Sequence, residues 1–167
     1  MLDIKRVQEY LEKNKGVFEK AILDNGTVIQ SMIAMEEIAE IQSAFCGFIT
    51  KPNSENDYKE NLSEEIADVL ICIKQLQLMY DLSDDIYVVV DKHKAVSTAN
   101  ATMILSELQK AISKTVRGKD ANLEEKVTDA IQVLNYYSFA TKPDKLEAWL
   151  NKKVTRLKKM HIDKNES

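Results

Sequence analysis

With 167 residues, 44% of them hydrophobic and 30% charged, the chain is long enough to bury a core without disulfides or a structural metal. A net charge of −4 argues against a general nucleic-acid binder, and no apolar run approaches the about 20 residues of a membrane span. Four glycines and two prolines are too few for a β-rich fold with many tight turns, so the expected fold is all-α.

The N-terminus, Met1-Leu2-Asp3-Ile4-Lys5-Arg6, lacks the apolar core of a signal peptide, so a soluble, cytoplasmic protein is expected. Apolar periodicity then predicts helices over 3–23 (broken near Lys15-Gly16), 27–49, 58–80, 83–97, 99–116, 122–140 and 143–160. Asp24-Asn25-Gly26 is a turn, with Thr27 able to cap the helix that follows. Loops are expected at Lys51-Pro52-Asn53-Ser54-Glu55-Asn56 and Arg117-Gly118-Lys119-Asp120, and a helix restart at Lys142-Pro143. Cys46 and Cys72 fall inside helical patterns near apolar faces and read as buried thiols. The histidines, His93 and His161, are isolated, which excludes the usual zinc spacings.

A repeat is visible. Asn61-Leu62-Ser63-Glu64-Glu65-Ile66-Ala67-Asp68 aligns with Asn122-Leu123-Glu124-Glu125-Lys126-Val127-Thr128-Asp129, and Met35 to Glu40 corresponds to Leu105 to Lys110. Asp84 and Lys92 match Asp144 and Lys152 with the register shifted by one. The reading is a single all-α domain over 1–167, with 27–97 and 99–160 as paired halves around one core.

Along the second long helix, at 100° per residue, Glu40 lies within about 60° of Glu37, and so do Ile33, Ala34, Ile41, Ala44 and Phe48. On the next helix Glu65 and Asp68 share a face with Leu62, Val69, Cys72, Leu76 and Met79. Two i,i+3 acid pairs inside apolar stripes are costly unless protonated, paired with basic groups or bound to metal. Facing each other, Glu37, Glu40, Glu65 and Asp68 make an all-oxygen cage of the kind Mg²⁺ or Mn²⁺ prefers. The alternatives are acids on solvated faces, or a ferritin-like di-iron site. The latter expects Glu-x-x-His pairs that the chain lacks.

The string Glu36-Glu37-Ile38-Ala39-Glu40, followed after 24 residues by Glu65-Ile66-Ala67-Asp68, resembles the EExxE…ExxD signature of the all-α NTP pyrophosphohydrolases, the superfamily of MazG and the dimeric dUTPases. The likeness covers residues 27–97. It implies a MazG-like helical bundle, here a tandem pseudo-dimer in one chain. It also implies Mg²⁺ (or Mn²⁺) on Glu37, Glu40, Glu65 and Asp68, and cleavage of a (d)NTP to (d)NMP and pyrophosphate. The metal would neutralise the triphosphate and lower the pKa of an attacking water, and Glu36 or Glu40 would take the proton. The family's basic residue on the following helix finds its best match in Lys92, with Lys94 second, although the family's Asn/Arg companions are not evident. A phosphoribosyl-ATP pyrophosphohydrolase is the runner-up within the class. Outside it stands a non-catalytic helical interaction or regulatory protein that keeps the fold.

For the base, Gln30 lies seven residues before Glu37 and Asn61 four before Glu65, on the same faces as the acids. Both also read as helix-end or core-edge polar groups, and Trp149 reads as core. In the second half the acid positions become Glu107, Lys110, Lys126 and Asp129, with Lys114 one turn on. Two lysines would replace metal, leaving a silent copy in a monomer acting as a pseudo-dimer, or in a homodimer. Arg117 or Lys119 would be free to reach the triphosphate.

Overall fold

Helix follows wherever the three-and-four-residue apolar spacing is sustained, and it stops at the breakers. The computed structural model describes residues 4–50, 55–88, 95–138 and 143–163, and among these no strand occurs. The elements are α1 (Ile4–Lys13), α2 (Lys15–Asn25), α3 (Thr27–Thr50), α4 (Glu55–Tyr80), a 3₁₀ turn (Asp84–Tyr87), α5 (Thr98–Val116), α6 (Leu123–Ser138) and α7 (Pro143–His161).

The first break sits at Asn14, whose side-chain amide donates to the Tyr10 carbonyl at 2.9 Å and so competes with the helix ladder. Gly26 ends α2 at φ 79°, a conformation glycine adopts without a Cβ clash. Gly26, rather than Thr27, precedes the first turn of α3, and its carbonyl accepts from the Gln30 N–H at 3.0 Å. Gly118, at φ 70°, closes α5 in the same way.

The helix expected over 83–97 is not there in its described parts. Ser83 caps only the short 3₁₀ turn, its Oγ accepting from the Asp85 N–H at 3.1 Å. Residues 95–97 are not helical, and Ser97, in an extended conformation, starts α5 by accepting from the Asn100 N–H at 3.2 Å. Two serine caps and the β-branched run Val88-Val89-Val90 oppose one continuous helix. Residues 89–94, and with them His93 and the phosphate candidates Lys92 and Lys94, lie outside the described residues.

The long helices α3 and α4 form an antiparallel hairpin, tied at one end by Gln30 to Gln75 (2.9 Å) and Ser31 to Tyr80 (2.8 Å). A second hairpin, α5 and α6, lies against it. Gln42 donates to the Thr102 carbonyl at 3.1 Å, and Gln109 to the Met35 carbonyl at 2.9 Å. The Phe45 and Tyr137 rings meet at 4.5 Å between the hairpins. α7 crosses back onto α4 and α2. Buried apolar side chains of both hairpins form one contiguous cluster, each large one contributing about 1.5–3 kcal/mol. Trp149 is partly buried against that cluster. Cys72 is buried, but Cys46 is exposed beside Ser43 on the outer face of α3, contrary to expectation; both are free thiols. No described helix is long and apolar enough to cross a membrane.

Candidate functional site

The antiparallel pairing of α3 with α4 sets the two acid pairs opposite one another. Ala34, Ile38 and Ile41 anchor α3 from below, while Leu62, Ile66 and Val69 do the same for α4. Glu37, Glu65 and Asp68 are thereby held half-buried at the seam. Glu37, Glu65 and Asp68 each bring a carboxylate oxygen within 4.8 Å of the others. Glu65 Oε2 is buried and has no hydrogen-bond partner among the described residues. Burial first, then the neighbouring carboxylates of Asp68 and Glu40, raise the Glu37 pKa to about 7. Burial, then Glu40, Asp68 and Glu37, raise Glu65 to about 7 as well. Asp68 is also raised, by burial, against the opposing pull of Lys153. The expectation of acids inside apolar stripes therefore holds for these three.

Glu40 differs. It is exposed and stands outside the group of converging oxygens, although its charge acts on Glu37, Glu65 and Asp68. It lies between two clefts of about 420 Å³ each and lines both. One cleft is walled by Glu36, Ser43, Asn61 and Glu65, with Ala39, Ala44 and Gly47 leaving its floor open. The other holds Glu37, Asp68, Gln30, Gln75, Lys153 and Arg156. Gln30 is 3% exposed and sits in an amide chain, accepting from Asn25 Nδ2 at 3.0 Å and donating to Gln75 Oε1 at 2.9 Å. Gln30 and Asn61 thus line different clefts, although both were expected to face one base.

The basic residue nearest the acids comes from α7, which the sequence reading did not place here. Lys153 Nζ donates to Asp68 Oδ2 at 2.5 Å and lies 2.8 Å from Glu64 Oε1. Its neighbour Lys152, which the sequence alignment matches to Lys92, stacks over Trp149 at 4.1 Å, and Lys153 Nζ lies over the same ring at 5.7 Å. Arg156, one turn beyond Lys153, and His161 line the same cleft; His161 Nδ1 is 2.9 Å from Asp24 Oδ2. The run of basic residues on α7 was the only sequence signal for this. Nothing in it said which helix α7 would cover. Cys72 lies at the cleft, its thiol held well above the usual range by burial and by Glu37 and Asp68.

In the second hairpin the corresponding groups are paired locally and wet. Lys110 Nζ is 3.0 Å from Glu107 Oε1, and Lys126 Nζ is 3.1 Å from Glu125 and 3.9 Å from Asp129. Side-chain exposures of 62%, 48%, 28% and 48% for Lys110, Glu107, Lys126 and Asp129 rule out the buried ion cluster whose disruption would be strongly destabilising. Arg117 and Lys119 are exposed and line neither cleft beside the acids.

No family model, curated protein or solved structure matches this chain.

Proposed function

We propose that this chain is a Mg²⁺-dependent nucleoside triphosphate pyrophosphohydrolase, splitting a (d)NTP into a (d)NMP and pyrophosphate. In this reading the bundle is MazG-like. Residues 27–97 are the catalytic repeat, and 99–160 form a degenerate one within the same domain. The observation that carries the proposal is the convergence of Glu37, Glu65 and Asp68 oxygens within 4.8 Å, with Glu65 Oε2 left unpartnered among the described residues. Hard oxygen donors with pKa values pushed up first by burial and then by mutual repulsion fit a small divalent cation, Mg²⁺ or Mn²⁺.

When bound, Mg²⁺ neutralises polyphosphate charge and polarises the anhydride. The chain's own residues supply the rest. Glu37, Glu65 and Asp68 hold the cation, with Glu40 at the rim. Lys153 and Arg156 offer cationic donors to phosphate oxygens in the α7 cleft. The amide chain of Asn25, Gln30 and Gln75 presents donors and acceptors to a base edge. Glu36 or Glu40 accepts the proton of the water added across the α–β anhydride, and pyrophosphate leaves. The protein acts as a cytoplasmic monomer whose second hairpin stands where a partner subunit would. A homodimer of such chains is the other arrangement.

Pyrophosphate release from a panel of nucleotides with Mg²⁺ tests the proposal and identifies the base and sugar. A second reading, a non-catalytic helical interaction or regulatory protein, is favoured by the exposure of Leu23 (77%), Val28 (55%), Ile29 (55%) and Met32 (62%) around the α2–α3 junction. Absence of both divalent binding and pyrophosphate release would select it.

A further inference from the structure

We infer that Lys153 is a resident counterion of the carboxylate cluster, exchanged for metal when nucleotide arrives, so that metal and nucleotide are taken up together. The inference rests on the proposed function and adds an order of events to it. Three observations carry it. Lys153 Nζ lies 2.5 Å from Asp68 Oδ2 and 2.8 Å from Glu64 Oε1, with its side chain 17% exposed. Asp68 is also one of the three residues whose oxygens converge. Finally, Lys153 and Arg156 both line the cleft beside Asp68, so an ammonium released from the carboxylates stays within the same cavity.

Two cations on one carboxylate repel each other, so a metal ion approaching Asp68 meets an ammonium already in place. A polyphosphate in the cleft offers that ammonium a new set of acceptor oxygens. Metal then takes the carboxylates while Lys153 takes the phosphates. Each ligand thereby strengthens the other, and the coupling is reciprocal. Lys152 carries the same charge one residue away, but it sits over Trp149 and touches none of these acids by any ion pair seen among the described residues. It is the natural control for bulk charge.

The test is Mn²⁺ binding, followed by electron paramagnetic resonance, to the full chain and to Lys153→Gln and Lys152→Gln. Each is measured with and without a triphosphate analogue carrying an α,β-methylene bridge. Wild type is expected to bind Mn²⁺ weakly alone and more tightly with the analogue. Lys153→Gln should bind Mn²⁺ roughly tenfold more tightly without analogue, with the analogue's effect diminished, while Lys152→Gln behaves as wild type. If Lys153→Gln does not fold, Lys153→Met keeps the stem packed and serves the same comparison. Equal Mn²⁺ affinities in wild type and Lys153→Gln overturn this inference alone, as does a tighter variant whose coupling is undiminished. No Mn²⁺ binding by any of the proteins, with or without analogue, removes the proposed function as well.

Discussion

The hairpin of α3 and α4 and the hairpin of α5 and α6 carry charged residues at matching places and treat them in opposite ways. In the second, Glu107 pairs with Lys110 three residues on, and Asp129 faces Lys126 at the same spacing. Each helix pairs its own charges, and the Lys110, Glu107 and Asp129 side chains are about half exposed or more, with Lys126 at 28%. In the first, both pairs are acid with acid, and three of the four, Glu37, Glu65 and Asp68, press together half-buried across the seam while Glu40 is exposed at its rim. Neither helix can neutralise them. The cation comes instead from α7, which follows the second hairpin in sequence but packs on the first. Charge satisfied within a helix needs no neighbour, whereas charge left unsatisfied at a helix seam draws one in.

The largest effect expected is on catalysis. Glu65→Gln or Asp68→Asn should lower pyrophosphate release at least about a hundredfold, the scale of losing a metal's supporting ligand. Glu107→Gln and Asp129→Asn should leave release close to wild type. Comparable losses in both hairpins would end the view of the second as silent.

Metal position sharpens the same contrast. A crystal soaked in Mn²⁺, with nucleotide analogue present, should show anomalous peaks beside Glu37, Glu65 and Asp68 and none beside Glu107 and Asp129. Peaks in both hairpins would mean that Lys110 and Lys126 do not substitute for metal.

Stability against pH should set the hairpins apart next. Glu37 and Glu65 titrate near 7 in the fold, above the usual carboxylate value near 4.5. A raised folded pKa favours the protonated fold. Their stabilising contribution is therefore complete below about pH 4.5 and is lost as pH rises through about 7. The metal-free protein should melt at progressively lower temperature over that window, with Mg²⁺ restoring most at its upper end. Glu37→Gln should melt higher than wild type at pH 8 without metal. A flat profile from pH 5 to 8 in wild type would contradict the burial and repulsion of these carboxylates at the seam.

The smallest effect belongs to Lys126. Hydrogen bonding to Glu125 raises its pKa, yet that partner is 62% exposed and Lys126 itself 28%, so Lys126→Ala should leave the melting curve within error of wild type. A clear drop would show that the second hairpin depends on its lysines more than their exposure implies.

Local pattern was enough to place most helices and the acid pairs, because the 3.6-residue repeat assigns a face to each side chain from near neighbours alone. It put Glu37 beside Ala34 and Ile41, and Asp68 beside Val69 and Cys72, all of which except Glu37 and Asp68 themselves are fully buried. It failed over the described parts of 83–97, residues 83–88 and 95–97, where Ser83 and Ser97 offered the backbone better local partners than helix continuation. It also misjudged Cys46, since a face can be apolar in pattern and yet left uncovered. What only the tertiary structure decided is which helix lies over the seam. Lys152 and Lys153 differ by one position and 100° of helix rotation; both ammoniums reach the Trp149 ring, at 4.1 and 5.7 Å, but the angle at which α7 crosses α4 brings only Lys153 onto Asp68. That angle follows from packing against α2 and α4 together, a sum over distant contacts that no stretch of sequence carries by itself.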